Sequence, residues 1–235
     1  LLEFHGLRGL ADKVPTPGSF VQLAPRWLPE PILKMMIDEY APNLRMKALG
    51  SLGYDLALRI GEAIMLNRVP KADTPYLDVK NRQANVLRKK TRQYPWQFLQ
   101  VSDWAINHIR KYLATRDDHN PALFTSKPYV PGLPGGGRIS VKNVEKYWKW
   151  WTTGIGYPCT YKILRHSKLT WMAVEGIDLI EIAKFAAHSN PNTTLIYTHL
   201  GNQFRSNPMM FVERELKGSP LYTPAVKALE EWLKE

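Results

Sequence analysis

Residues 160–199 read TYKILRHSKLTWMAVEGIDLIEIAKFAAHSNPNTTLIYTH, and their punctuation divides them into helices. A helical segment begins at Thr160 and runs to about Glu175, where Gly176 supplies the stop. Asp178 is an oxygen-bearing cap for the next helix, with Leu179, Ile182, Ala183 and Ala186 facing inward. Asn190 followed by Pro191 repeats the start signal and places Tyr197 on a short helix of its own. Lys162, Arg165, His166, His188, Tyr197 and His199 are spread along this stretch.

Upstream, Ile32, Leu33, Met36, Ile37 and Tyr40 fall on one helical face, with Pro29 and Pro31 tolerated in the opening turn and Pro42 and Asn43 ending it. The pattern predicts a second helix over about Met46–Leu66 with Arg59 inside it; Gly50, Gly53 and Gly61 point to close packing or to a backbone near a ligand. Residues 74–101 change character. TPYLDV, NVLRK and WQFLQV, separated by KNRQA and TRQYP, predict a small antiparallel meander. Ser102 and Asp103 then open a helix bearing Trp104, Ile109, Tyr112 and Leu113, and Ser140 caps another carrying Val144, Trp148 and Trp151. SKPYVPGLPGGGR at 126–138 reads as the loop between them.

The expected class is therefore α+β, mainly α, with one small antiparallel sheet. Residues 1–26, with Gly6, Gly9, Pro15, Pro17 and Gly18 and little periodicity, read as an arm or the remnant of an upstream module, and Leu1 in place of an initiator methionine reads as a fragment's start. Residues 27–235 then form one domain, ending in a capped tail helix at about 223–235 with Val226, Leu229 and Leu233 on one stripe. That helix is expected either to pack on its own domain or to dock on a neighbouring subunit.

The 235 residues carry a formal net charge of +11. Clustered Lys and Arg gain affinity for a polyanion by releasing its counterions, so nucleic acid is the leading partner. Cys159 is the sole cysteine, which excludes an internal disulfide and fits a reducing compartment; between Pro158 and Thr160, with no activating neighbour in sequence, it reads as a small structural residue. No run approaches the roughly 18 apolar residues of a membrane span, and no secretory signal is present, so a cytoplasmic, DNA-associated protein is expected.

LRH at 164–166, EGIDL at 175–179, HSN at 188–190 and TTLIYTH at 193–199 together resemble the C-terminal signature of tyrosine recombinases and phage integrases. Upstream, ALRIGEAIMLN at 57–67 resembles that family's first-arginine helix, and VLRKKTRQYPWQFLQVS at 86–102 its lysine-bearing β-hairpin. The resemblance implies Arg59, Arg165, His188 and the nucleophile Tyr197 as catalytic residues, with Glu62 supporting Arg59 from one turn away. It implies Lys90 as the hairpin lysine, or Lys89, since a one-residue slip in register reverses a side chain's face. Arg88, Lys89 and Arg92 of the same basic run are expected on DNA.

The residue types suit the implied reaction, a cut and rejoining of double-stranded DNA through a 3′-phosphotyrosine, with no metal or cofactor. Attack of a phenol on a phosphodiester builds a doubly negative transition state. Two guanidinium groups can grip its non-bridging oxygens with paired donors, while a lysine of lowered pKa can protonate the departing 5′ oxygen. The covalent link conserves the bond energy for rejoining, and assembly of two or four subunits on DNA is implied. Lys162 stands where the family most often has histidine, as it does in some archaeal-virus integrases; it would keep a phosphate contact but make a poor base. His166 reads as a fold-supporting neighbour of Arg165. Two rival readings are a type IB topoisomerase-like enzyme and a DNA-binding relative of weak activity.

Overall fold

A computed structural model describes residues 25–88, 95–126 and 136–234. Its helices are α1 (Glu30–Tyr40), α2 (Leu44–Asp55), α3 (Ile60–Met65), α4 (Asp103–Leu113), α5 (Val141–Gly154), α6 (Lys162–Val174), α7 (Leu179–Ala186), α8 (Leu195–Ser206), α9 (Pro208–Leu216) and α10 (Tyr222–Trp232). A 3-10 turn, Pro191–Thr194, leads into α8. The strands β1 (Tyr76–Asp78), β2 (Gln83–Leu87) and β3 (Trp96–Gln100) form one antiparallel sheet in that order, with Tyr76 opposite Asn85 and Leu87 opposite Trp96.

Side-chain caps fix several helix starts where the sequence placed them. Ser102 accepts from the Ala105 amide, Ser140 from Asn143, Asp178 from Ile180 and Asn190 from Asn192, each satisfying a donor that the first turn leaves orphaned. Asn43 ends α1 as expected and also caps α2 through the Met46 amide. Two features differ. Residues 208–216, unassigned in the sequence reading, form α9, capped by Asn207 with Pro208 in its first turn. The tail helix begins at Tyr222 with no side-chain cap.

Helix α6 runs through the middle of the molecule because glycines let its neighbours approach. A Cβ on Gly53 of α2 would meet the Tyr161 hydroxyl at 2.1 Å and Leu164 at 3.0 Å, and one on Gly201 of α8 would meet Ala173 and the Val174 amide at 3.1 Å. Gly61, by contrast, faces open space. The fully buried Trp148 meets Trp151 and Tyr161 edge-on, at 4.9 and 5.2 Å between ring centroids, and anchors α5 to this centre. The tail packs on its own chain: Leu221, Ala225 and Leu229 are wholly buried, α10 lies against α1, and Trp232 packs 4.9 Å from Trp171. Among the described residues no helix is long and apolar enough to cross a membrane.

Candidate active site

The expected continuous helix over Met46–Leu66 is two helices, α2 and α3, and the break between them builds the site. Ala57 adopts φ +47°, turning the chain at a point where a left-handed alanine costs about 1–2 kcal/mol. A second reversal follows α7, where Ala187 takes φ +50°. Arg165, projecting from α6, spans both: its Nη1 donates to the Ala57 carbonyl at 2.7 Å and its Nη2 to the Ala186 carbonyl at 2.6 Å. The guanidinium is thus held by backbone oxygens that a continuous helix would have kept for itself. Arg59, expected within a helix, stands at the N-cap of α3.

Arg165 Nη2 also lies 3.0 Å from His188 Nε2. A guanidinium has no acceptor, so His188 Nε2 accepts and its ring proton sits on Nδ1, which faces Thr194 Oγ1 at 2.9 Å. Both His188 nitrogens are therefore engaged, and donation from Nε2 to a phosphate would require both release by Arg165 and a proton on that nitrogen. The Tyr197 ring lies between two imidazoles, nearly parallel to His188 at 6.3 Å and inclined 32° to His166 at 5.8 Å. Its hydroxyl meets His166 Nδ1 at 2.9 Å.

Burial raises the Tyr197 phenol above its ordinary value, against the pull of Arg165 and Arg59. Burial likewise lowers Arg165 to about 10, helped by the positive charges of Arg59 and Arg88. Arg59 acts electrostatically on Arg165, His188 and Tyr197 alike, which marks the four as one site. Glu62 orients Arg59: its Oε1 accepts from Arg59 Nη1 and its Oε2 from the Arg59 amide, both at 2.9 Å. Arg59 keeps 29 % of its side chain exposed, enough to meet a ligand.

Arg88 corrects an expectation. Rather than lying on a DNA-facing surface it is fully buried, because alternation along β2 turns Ala84, Val86 and Arg88 inward. Its Nη1 pairs with Glu62 Oε2 at 2.7 Å, its Nε donates to Gln97, and its Nη2 reaches the Leu56 and Phe185 carbonyls at 3.2 and 3.3 Å. Those carbonyls directly precede the two that Arg165 uses. Arg88 therefore straps the sheet to the same two reversals. Burial pushes the Glu62 carboxyl up, but Arg88 and Arg59 outweigh it and leave it below the ordinary range.

Replacing Arg88 with Ala is expected to cost about 3–5 kcal/mol, since it breaks a buried pair and strands Glu62. Chemical denaturation measures the loss.

Lys162 occupies the first turn of α6 with its side chain exposed, one turn before His166. Lys89, Lys90 and Arg92 lie outside the described residues. The site residues that sequence reasoning missed are His166, as a partner of the phenol, and Thr194, which fixes the His188 tautomer; nothing in local spacing signals either contact.

Burial, then the charges of Arg165 and Lys162, push His166 down to about 4; burial, then Arg165 and Arg59, do the same to His188. In an unfolded chain both rings protonate near pH 6.5. Between about pH 6.5 and 4 the unfolded state therefore binds more protons, and stability falls as pH drops through that window. Melting temperatures recorded from pH 7.5 to 4.5 should decline, and decline less in His166→Asn.

The family described as the phage integrase family matches residues 27–203. Tyrosine recombinase XerA of Pyrococcus horikoshii is 29% identical over 196 residues, covering 83% of this chain and 64% of the relative. Tyrosine recombinase XerC of Histophilus somni is 31% identical over 166 residues, covering 68% and 51%. The chain thus spans about half to two thirds of these curated relatives' length. Among solved structures, XerA recombinase superposes with a TM-score of 0.60 at 23% identity, covering 77% of this chain and 65% of that one. The XerH site-specific recombinase in a post-cleavage complex with its difH substrate gives 0.57 at 19%, covering 80% and 53%. These likenesses match the mainly helical fold with its three-stranded sheet.

Proposed function

The chain belongs to the phage integrase family, and from that premise we propose that it is a site-specific tyrosine recombinase that breaks and rejoins double-stranded DNA through Tyr197. The observation that carries the reading is the convergence on one phenol of Arg165 and His166 from α6 and of His188 from just past α7, with Arg59 beside them. Arg165 and Arg59 would hold the non-bridging oxygens of the scissile phosphate, Arg165 with the N–H donors that its two carbonyls leave over. Tyr197 Oη attacks phosphorus, a 3′-phosphotyrosine forms, and the 5′ oxygen leaves with a proton. We assign that proton to Lys90. Lys89 is the alternative, since a one-residue slip in register reverses a side chain's face. Lys89 and Arg92 are then left for DNA backbone contacts, and Lys162 for a phosphate contact at the rim.

The net positive charge and the solved complex of XerH with its difH substrate support duplex DNA as the partner, in the cytoplasm. Cooperation of two or four subunits on that DNA belongs to the same proposal, with residues 27–235 as the catalytic domain. The test is a pool of nicked duplexes of randomised sequence, incubated with protein and sequenced after covalent capture. Enrichment of a paired, inverted site, followed by recombinant product between two such sites, is expected. Capture without sequence preference, together with plasmid relaxation, would favour the topoisomerase-like reading instead.

A further inference from the structure

We infer that His166 takes the phenol proton of Tyr197 when the strand is cut and returns it when the strand is rejoined. This rests on the recombinase reading and supplies a step which that reading leaves without an owner. Among the described residues the Tyr197 hydroxyl has one nitrogen in hydrogen-bond range, His166 Nδ1 at 2.9 Å. The other imidazole against the ring, His188, faces it in a stack rather than through a nitrogen, and both its nitrogens are taken by Arg165 and Thr194. Lys162, which holds the position of the expected histidine, is exposed, and as an ammonium it has no lone pair to offer.

With its own proton on Nε2, His166 receives the phenol's hydrogen bond at Nδ1. As the oxygen attacks, the Oη–H bond breaks toward Nδ1 and the oxygen's electron pair forms the bond to phosphorus. The P–O5′ bond breaks, and the 5′ oxygen takes its proton from the hairpin acid. Rejoining runs these transfers backward, with the imidazolium reprotonating the phenol as it departs.

The charges around His166 favour the neutral ring that a base must present. Arg165 and Lys162 lie on its own helix; His188 at the end of α7 and Tyr197 on α8 face it across the site. Arg26 and Cys159 share with it a cleft of about 300 Å3. With the cationic neighbours opposing protonation, the ring stands ready to accept at neutral pH. Bound DNA reverses that bias, because the phosphate's negative charge stabilises the imidazolium as it forms.

The test measures single-turnover cleavage of a captured nicked site by full-length chain from pH 5 to 9. His166→Asn keeps a hydrogen-bond acceptor of similar reach but not a base, so a merely structural histidine would be replaced by it. The expected result is a loss of about 100-fold at pH 7, the range of general base catalysis. His166→Ala should lose as much and recover partly in added imidazole. A 5′-bridging phosphorothiolate, whose sulfur leaves without a proton, should rescue neither variant but should rescue Lys90→Ala. Wild-type-like cleavage by His166→Asn, or rescue of it by the phosphorothiolate, overturns the inference. If His166→Ala fails to fold, His166→Asn decides alone, and if that variant also melts early, its cleavage per folded molecule is compared. A wild-type protein that forms no adduct defeats the recombinase reading itself, a result distinct from a cleaving wild type matched by its His166 variants.

Discussion

Tyr197→Phe is expected to abolish strand cleavage outright while leaving a folded, DNA-binding protein. The ring is 5 % exposed and packs with Ala57, Leu169, Ala173, Ile182 and Ala186, and phenylalanine fills the same space. The lost hydroxyl removes one hydrogen bond, to His166, worth about 0.5–1.5 kcal/mol. His166 is only half-buried, so water can satisfy the freed nitrogen. Melting should therefore shift by a few degrees at most, and the proposed DNA binding should hold, since the phenol hydroxyl adds no charge to it. Covalent adduct on nicked DNA should fall below detection, because the substitution removes the attacking oxygen. Any residual adduct of wild-type mobility would point to a different nucleophile.

Arg165→Ala is expected to damage both chemistry and fold. Removing one donor to a developing oxyanion typically costs about 100- to 1000-fold in rate, and Arg165 offers more than one. The same guanidinium holds the Ala57 and Ala186 carbonyls. Leaving a buried acceptor unpaired costs about 1–3 kcal/mol, and the left-handed Ala57 loses the contact at its own carbonyl. Arg165→Lys restores a charge but cannot reach both carbonyls and a phosphate from a single nitrogen. It should recover part of the stability and little of the rate. Single-turnover cleavage beside urea unfolding separates the two effects; a variant as stable as wild type would show that the reversals stand without Arg165.

The parts of this molecule governed by chemistry within a few residues were readable in the sequence. Ser102, Ser140, Asp178 and Asn190 each cap a helix through an amide two or three positions on, so their signals are local. The meander at 76–100 was readable from three apolar runs separated by polar stretches. The break at Ala57 was not. ALRIG holds no proline, its periodicity continues unbroken, and what stabilises the interruption is Arg165, more than a hundred residues later. Arg88 shows the same limit from the other side. In sequence it opens a basic run that resembles a phosphate-binding surface, and only strand register reveals that it points inward to Glu62. His166 sits beside the conspicuous Arg165, yet its partner is 31 residues away on another helix. The family motifs bring Arg165, His188 and Tyr197 together in sequence space; the carbonyls and imidazoles that orient them belong to tertiary structure.

The central claim is that Tyr197 becomes covalently joined to DNA. Wild-type chain should be incubated with a captured nicked duplex in excess EDTA, the adduct digested with trypsin, and the DNA-linked peptide sequenced by mass spectrometry. The account predicts a 3′-phosphate linkage on Tyr197 and a free 5′ hydroxyl on the released strand. Linkage at another residue, a 5′-phosphate link, or binding without any adduct would contradict it.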